Sequence, residues 1–89
     1  MASKQAASAL TDIRGYAGAS RIRLSAHAER RVAARCAGNV GHVRHALVNA
    51  AGCVANGPGK WKATGPDLDG DDLTMVVVID GGVIVVTVF

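Results

Sequence analysis

Leu73–Phe89 reads L-T-M-V-V-V-I-D-G-G-V-I-V-V-T-V-F, and this stretch decides the fold class. Two runs dense in β-branched residues, Leu73–Ile79 and Val83–Phe89, flank the tripeptide Asp80-Gly81-Gly82. Branched side chains pack well on a pleated surface, and D-G-G tolerates the positive φ of a tight turn. The stretch predicts an antiparallel hairpin. Alternation along its second strand puts Thr87 on one face with Val83, Val85 and Phe89.

Upstream of the hairpin, Gly65–Asp72 reads G-P-D-L-D-G-D-D, the composition of a turn-forming loop. Its spaced aspartates resemble the start of a calcium loop. The glycine stands fourth rather than sixth and the twelfth-position glutamate is missing, so the segment reads as a solvated loop. Gly59–Thr64 is a candidate strand, with Lys60 and Lys62 on one face and Trp61 on the other, toward the core.

Two helices come before the sheet. Ser25 stands where an N-cap belongs, and the helix it opens runs to about Cys36, with Ala28, Val32 and Cys36 inward. Gly38 and Asn39 break it. Asn39 then caps a second helix from Val40 to about Ala51, whose apolar stripe is Val40, Val43, Leu47 and Ala50 and whose terminator is Gly52. Arg21–Leu24 alternates basic and apolar residues, which fits a short strand. Residues 1–20 read as a linker or lead-in helix, a short helix followed by a flexible stretch, and residues 21–89 as the working domain. The fold expected is α+β, with the N-terminal helices packed on one face of a small antiparallel sheet.

At 89 residues and 49% hydrophobic content the chain suits one domain with a real core. Its only aromatics are Tyr16, Trp61 and Phe89, so Val, Ala, Ile and Leu must build that core. No 18-residue apolar run is present, which argues against a membrane span. Met1–Leu10 lacks the apolar centre of a signal peptide, although export as part of a larger parent chain stays open. Cys36 and Cys53 show no zinc-type spacing and read as buried thiols at helix ends, with a disulfide as the alternative.

The net charge of +3 hides a strong asymmetry. Between Ile13 and Pro66 stand nine basic residues (Arg14, Arg21, Arg23, Arg30, Arg31, Arg35, Arg44, Lys60 and Lys62) against one acid, Glu29. All five ionisable residues after Pro66 are aspartates. A positive body attracts polyanions, of which nucleic acid is the commonest.

His27, Arg31 and Arg35 recur every four residues and so stack along one helix face, opposite Ala28, Val32 and Cys36. Like charges at this spacing repel by a few tenths of a kcal/mol, a cost that an anion between them would remove. Arginine forks match phosphate oxygens, and histidine exchanges protons near neutral pH. A solvated basic face with an incidental histidine is the plain alternative. His42 and His45 share a helix face with Asn49, but no third metal ligand is visible in the sequence, and no cofactor is expected.

The runs H-A-E-R-R-V-A-A-R, G-N-V-G-H-V-R-H-A-L and M-V-V-V-I-D-G-G-V-I-V-V-T-V-F together resemble small domains related to RelE-type toxins. Those belong to the wider barnase–EndoU–colicin–RelE ribonuclease group, which includes C-terminal toxin domains of contact-dependent growth inhibition proteins. The likeness covers about Ile22 to Phe89. It implies a metal-independent endoribonuclease toxin, with transfer RNA the leading substrate, acting in the bacterial cytoplasm. The toxin would be a free-standing protein or be delivered from a larger secreted one, and would be neutralised by a cognate immunity or antitoxin protein. Carried over by position, the helix histidine is His27, the two arginines are Arg31 and Arg35, and the strand hydroxyl is Thr87. His27 would act as general base or acid, Arg31 with Arg35 or Lys62 would stabilise the transition state, and Thr87 would orient the phosphate or the 2′-hydroxyl. Arg30, Arg44 and Lys60 would add affinity for the RNA backbone. Phe89 stands where a tyrosine is common in the family, so that hydroxyl is not available for catalysis. Two other classes fit the sequence. A partner-binding immunity or antitoxin protein would use the acidic loop Asp67–Asp72, and an RNA-binding regulator would use the positive body without chemistry.

Overall fold

The computed structural model describes residues 4–89. The elements are α1 (Lys4–Gly18), β1 (Ile22–Leu24), α2 (Ala26–Arg35), α3 (Val40–Val48), β2 (Gly52–Ala55), β3 (Trp61–Pro66), β4 (Asp72–Ile79) and β5 (Val83–Val88). The five strands form one sheet in the order β1-β5-β4-β3-β2. The fold is α+β, as the sequence pattern implies, but the sheet is mixed rather than antiparallel, because β1 lies parallel to β5. Ile22 pairs with Val83 and Leu24 with Val85, a contact between chain segments about sixty residues apart that no local pattern encodes.

The hairpin forms as read, β4 against β5. The strand expected over Gly59–Thr64 begins at Trp61 and extends to Pro66. The second helix stops at Val48, short of Ala51. Gly52, expected to terminate that helix, instead opens β2, which the sequence reading did not anticipate. Four residues are too short a run to display a period, so G-C-V-A becomes a strand only because β3 offers it an edge.

The sheet has an inner and an outer face. Cys53, Ala63, Leu73, Met75, Val77, Val83, Val85 and Val88 line the inner face and join the buried core. α1 and α3 cover that face, and α1 supplies the fully buried Ile13 and Ala17. Trp61 also lies on this side, half-buried against the core as expected of it. Gly65 lets α3 come close: a Cβ there would stand 2.1 Å from the Ala46 carbonyl oxygen. Both Nε and Nη2 of Arg14 on α1 donate to the Ala50 carbonyl, tying α1 to the chain that leaves α3.

A β-bulge decides what the outer face carries. Val77 pairs with Val85, yet the next residue, Val76, pairs with Thr87, so Val86 is extra. Beyond the bulge Val88 returns to the inner face beside Met75, and Thr87 is turned outward. The expectation that Thr87 shares a face with Val83 and Val85 is therefore corrected. A period-2 reading holds only while the ladder is regular.

Candidate active site

α2 packs mainly against β5 and also touches β1. Its apolar residues Ala28 and Val32 are buried, which leaves the stripe of His27, Arg31 and Arg35 exposed at the margin of the outer face. Ser25 fixes the helix start twice. Its hydroxyl accepts the Ala28 amide at 3.0 Å and donates to the Val86 carbonyl at 2.8 Å, so the N-cap and the bulge residue are held together. The Ser25 amide donates to the Val85 carbonyl, 2.9 Å.

This anchoring sets the stripe against the end of β5. His27 Nε2 and Thr87 Oγ1 are hydrogen-bonded at 3.0 Å. With a neutral imidazole protonated on Nδ1, the threonine hydroxyl donates and Nε2 accepts. One turn on, Arg31 Nε donates to the Val88 carbonyl at 2.8 Å. That single bond orients the guanidinium, and its Nη groups have no partner among the described residues. In the ladder Thr87 pairs with Val76 and Val76 with Lys62, so Lys62 lies on the same face two strands away from Thr87. The Lys62 ammonium sits 5.4 Å from the ring centroid of Phe89, an exposed aromatic.

The other expected binding residues scatter. Arg35, a turn beyond Arg31, leaves the sheet end and lines a small pocket with Cys36, His42 and the aspartate loop. Arg30 is exposed on α2 with no partner among the described residues. Lys60 stands in the β2–β3 turn, next to the start of β3. Arg44 lies in the helical layer, where its Nη2 donates to the Gly18 carbonyl at the end of α1, 3.1 Å. His27, Arg31 and Thr87 thus come together, with Lys62 on the same face two strands away, whereas Lys60 lies further along toward the level of Val78 and Ile84 and Arg35 and Arg44 go elsewhere.

The aspartate loop is organised from within. Asp67 is buried, and its Oδ1 accepts the amides of Asp69 (2.8 Å) and Asp71 (3.0 Å). Burial alone would raise its pKa. The two amides, with the His42 imidazole and the Arg35 guanidinium nearby, outweigh that, and the carboxyl is held below its usual value. His42 lies 4.0 Å from Asp67 Oδ2 and accepts the Leu68 amide on Nδ1, 3.2 Å. His42, Asp67 and Asp69 do bring donor atoms within 4.8 Å of one another. The occupied Nδ1 and the neighbouring Arg35 charge make this a poor fit for a cation. His45, the other histidine of the pair, is hydrogen-bonded through Nδ1 to the Pro66 carbonyl, 2.9 Å. Both cysteines are free and buried, Cys36 as the C-cap of α2 and Cys53 within β2 rather than at a helix end. Burial raises the pKa of each thiol.

Among the described side chains the one basic group within 4.0 Å of a carboxylate oxygen is the His42 imidazole, beside Asp67. From Gln5 onward every arginine and lysine lacks a carboxylate within 4.0 Å, and the basic excess between Ile13 and Pro66 is not neutralised internally. Comparison with protein families, curated proteins and solved structures finds no match to this chain. Among the described residues no helix is long and apolar enough to cross a membrane.

Proposed function

We propose that this protein is an endoribonuclease that works without a metal, and that the site is the outer end of β5 with the exposed face of α2. The observation that carries the reading is the His27–Thr87 hydrogen bond at 3.0 Å, one turn from the tethered Arg31. A proton acceptor, a hydroxyl and a permanent positive charge meet there on a basic surface, which is what phosphodiester transesterification requires.

In the proposed step a ribose 2′-oxygen forms a bond to the adjacent phosphorus and the bond to the 5′-oxygen breaks. The proton leaving the 2′-oxygen goes to His27 Nε2. The departing 5′-oxygen takes a proton from water or from the same imidazolium. The products are a 2′,3′-cyclic phosphate and a 5′-hydroxyl. Arg31 stabilises charge gathering on the non-bridging oxygens, Thr87 orients the phosphate or the 2′-hydroxyl, and Lys62 with Lys60 holds the flanking backbone. The resemblance to RelE-related toxin domains favours transfer RNA as substrate, the bacterial cytoplasm as place of action, and a cognate immunity or antitoxin protein as partner.

Incubation with total RNA in EDTA tests this. Cleavage to cyclic-phosphate ends is expected, and His27→Ala should slow it by about 10²–10⁴-fold, the usual worth of a general acid–base group. Full cleavage by His27→Ala would sink the assignment. A mobility shift without cleavage points to an RNA-binding regulator, and neither result points to a protein-binding role.

A further inference from the structure

Arg23 is on β1, paired in register with Ile84 of β5. Ile84 in turn pairs with Val78, and Thr87 pairs with Val76, two residues along β4. Ile22 and Leu24 pair with the inner-face residues Val83 and Val85, so Arg23 between them belongs to the outer face, the face of Thr87. One strand across and two residues along place its Cα about 8 Å from that of Thr87.

Arg23 also opens onto a cleft of 280 Å³ at the β4–β5 turn, lined with Ser20, Arg21, Gly82 and Ile84. At the cleft the two backbones approach closely. A Cβ on Gly82 would meet the Arg21 carbonyl oxygen at 2.9 Å, and Arg21 Nη1 reaches the Gly81 carbonyl at 3.5 Å. Asp80 borders the cleft too, yet neither arginine forms an ion pair with it. Arg23 has no hydrogen-bond or charge partner among the described residues. Two guanidinium groups beside an apolar wall, with no internal counter-charge, form a site for a phosphate and the sugar attached to it.

We propose that this cleft is a second phosphate subsite, in which Arg23, supported by Arg21, holds a backbone phosphate of the same strand a few nucleotides from the one cleaved at His27 and Thr87, because the cleft lies at the turn end of β5 and Thr87 at its other end. The inference rests on the ribonuclease reading, but binding tests it separately from cleavage. The probe is a fluorescent oligoribonucleotide, titrated against protein carrying His27→Ala. Adding Arg23→Gln is expected to weaken binding about tenfold and to lower the salt dependence by about one counterion. Arg23→Lys should restore most of that slope, since it keeps the charge. Replacing one flanking phosphate by a neutral methylphosphonate should remove the difference between Arg and Gln at position 23, on one side of the scissile position only. Equal affinity and equal salt slope for Arg23→Gln, in a protein whose thermal midpoint is unchanged, would overturn the subsite. So would a difference that survives every single methylphosphonate replacement. Lack of cleavage by the parent protein would instead count against the ribonuclease reading and leave these binding outcomes decisive for the subsite.

Discussion

Asp67 has a buried carboxylate, two amide donors, and the His42 imidazole and Arg35 guanidinium nearby. Its folded-state pKa is lowered, so the unfolded chain holds the proton more tightly. The carboxylate's contribution to stability is complete above the unfolded value of about 4 and is lost as pH falls through the lower folded value. Asp67→Asn is therefore expected to unfold at lower urea than the parent at neutral pH, with the gap closing below about pH 4. A gap of equal size at neutral pH and in acid would contradict this account. At the same scale, Thr87 shows how one hydroxyl gains a role from its neighbour. Threonine in an apolar strand is ordinary, and only the 3.0 Å bond to His27 distinguishes it.

α2 is amphipathic, but its placement depends on one residue at its start. Ser25 caps the helix and also binds the Val86 carbonyl. Ser25→Ala should cost about 0.5–2 kcal/mol in chemical denaturation, the range for a lost N-cap. RNA cleavage should fall as well, because the position of His27 depends on the same anchor. Loss of stability with full activity would show that the helix stays in place without it. The packing of α3 on β3 depends on Gly65. Gly65→Ala forces a methyl group against the Ala46 carbonyl, and about 1–3 kcal/mol of destabilisation is expected from overpacking. Unchanged stability would mean that α3 shifts freely. The helix N-caps and the β4–β5 hairpin were legible in the sequence because each is set by residues a few positions apart. Ser25 and Asn39 both cap as read. The bulge at Val86 was not legible: V-I-V-V-T-V alternates plausibly in either register, and the partner strand chooses between them.

Over the whole molecule, α1 is continuous with the core rather than a tether beside it. Ile13 is fully buried between the helical layer and the sheet. Ile13→Ala should cost about 2–5 kcal/mol, a large part of the roughly 5–15 kcal/mol that holds a small domain folded. Thermal or urea unfolding measures this, and a loss well under 1 kcal/mol would place α1 outside the cooperative unit. The sheet divides the molecule into two sides. The inner side is a Val-, Leu- and Ala-rich core under α1 and α3. The outer side carries Arg23, Lys62, Thr87 and, from the margin, His27. Arg21 and Arg23 at β1 were visible as an alternation, R-I-R-L, but nothing near them in sequence indicated which face they would share, or with what.

The sequence by itself determined the α+β class, the helix starts, the hairpin, the excess of positive charge and the co-facial stripe of His27, Arg31 and Arg35. All of these follow from local periodicity, capping chemistry or composition, and need no knowledge of distant residues. The tertiary structure alone decided the parallel β1–β5 pairing, the existence of β2, the outward turn of Thr87 and the division of the stripe. Two members of that stripe reach β5, and the third reaches the aspartate loop. Those outcomes depend on contacts between segments tens of residues apart, where hydrogen-bond pairing and core packing outweigh any local preference.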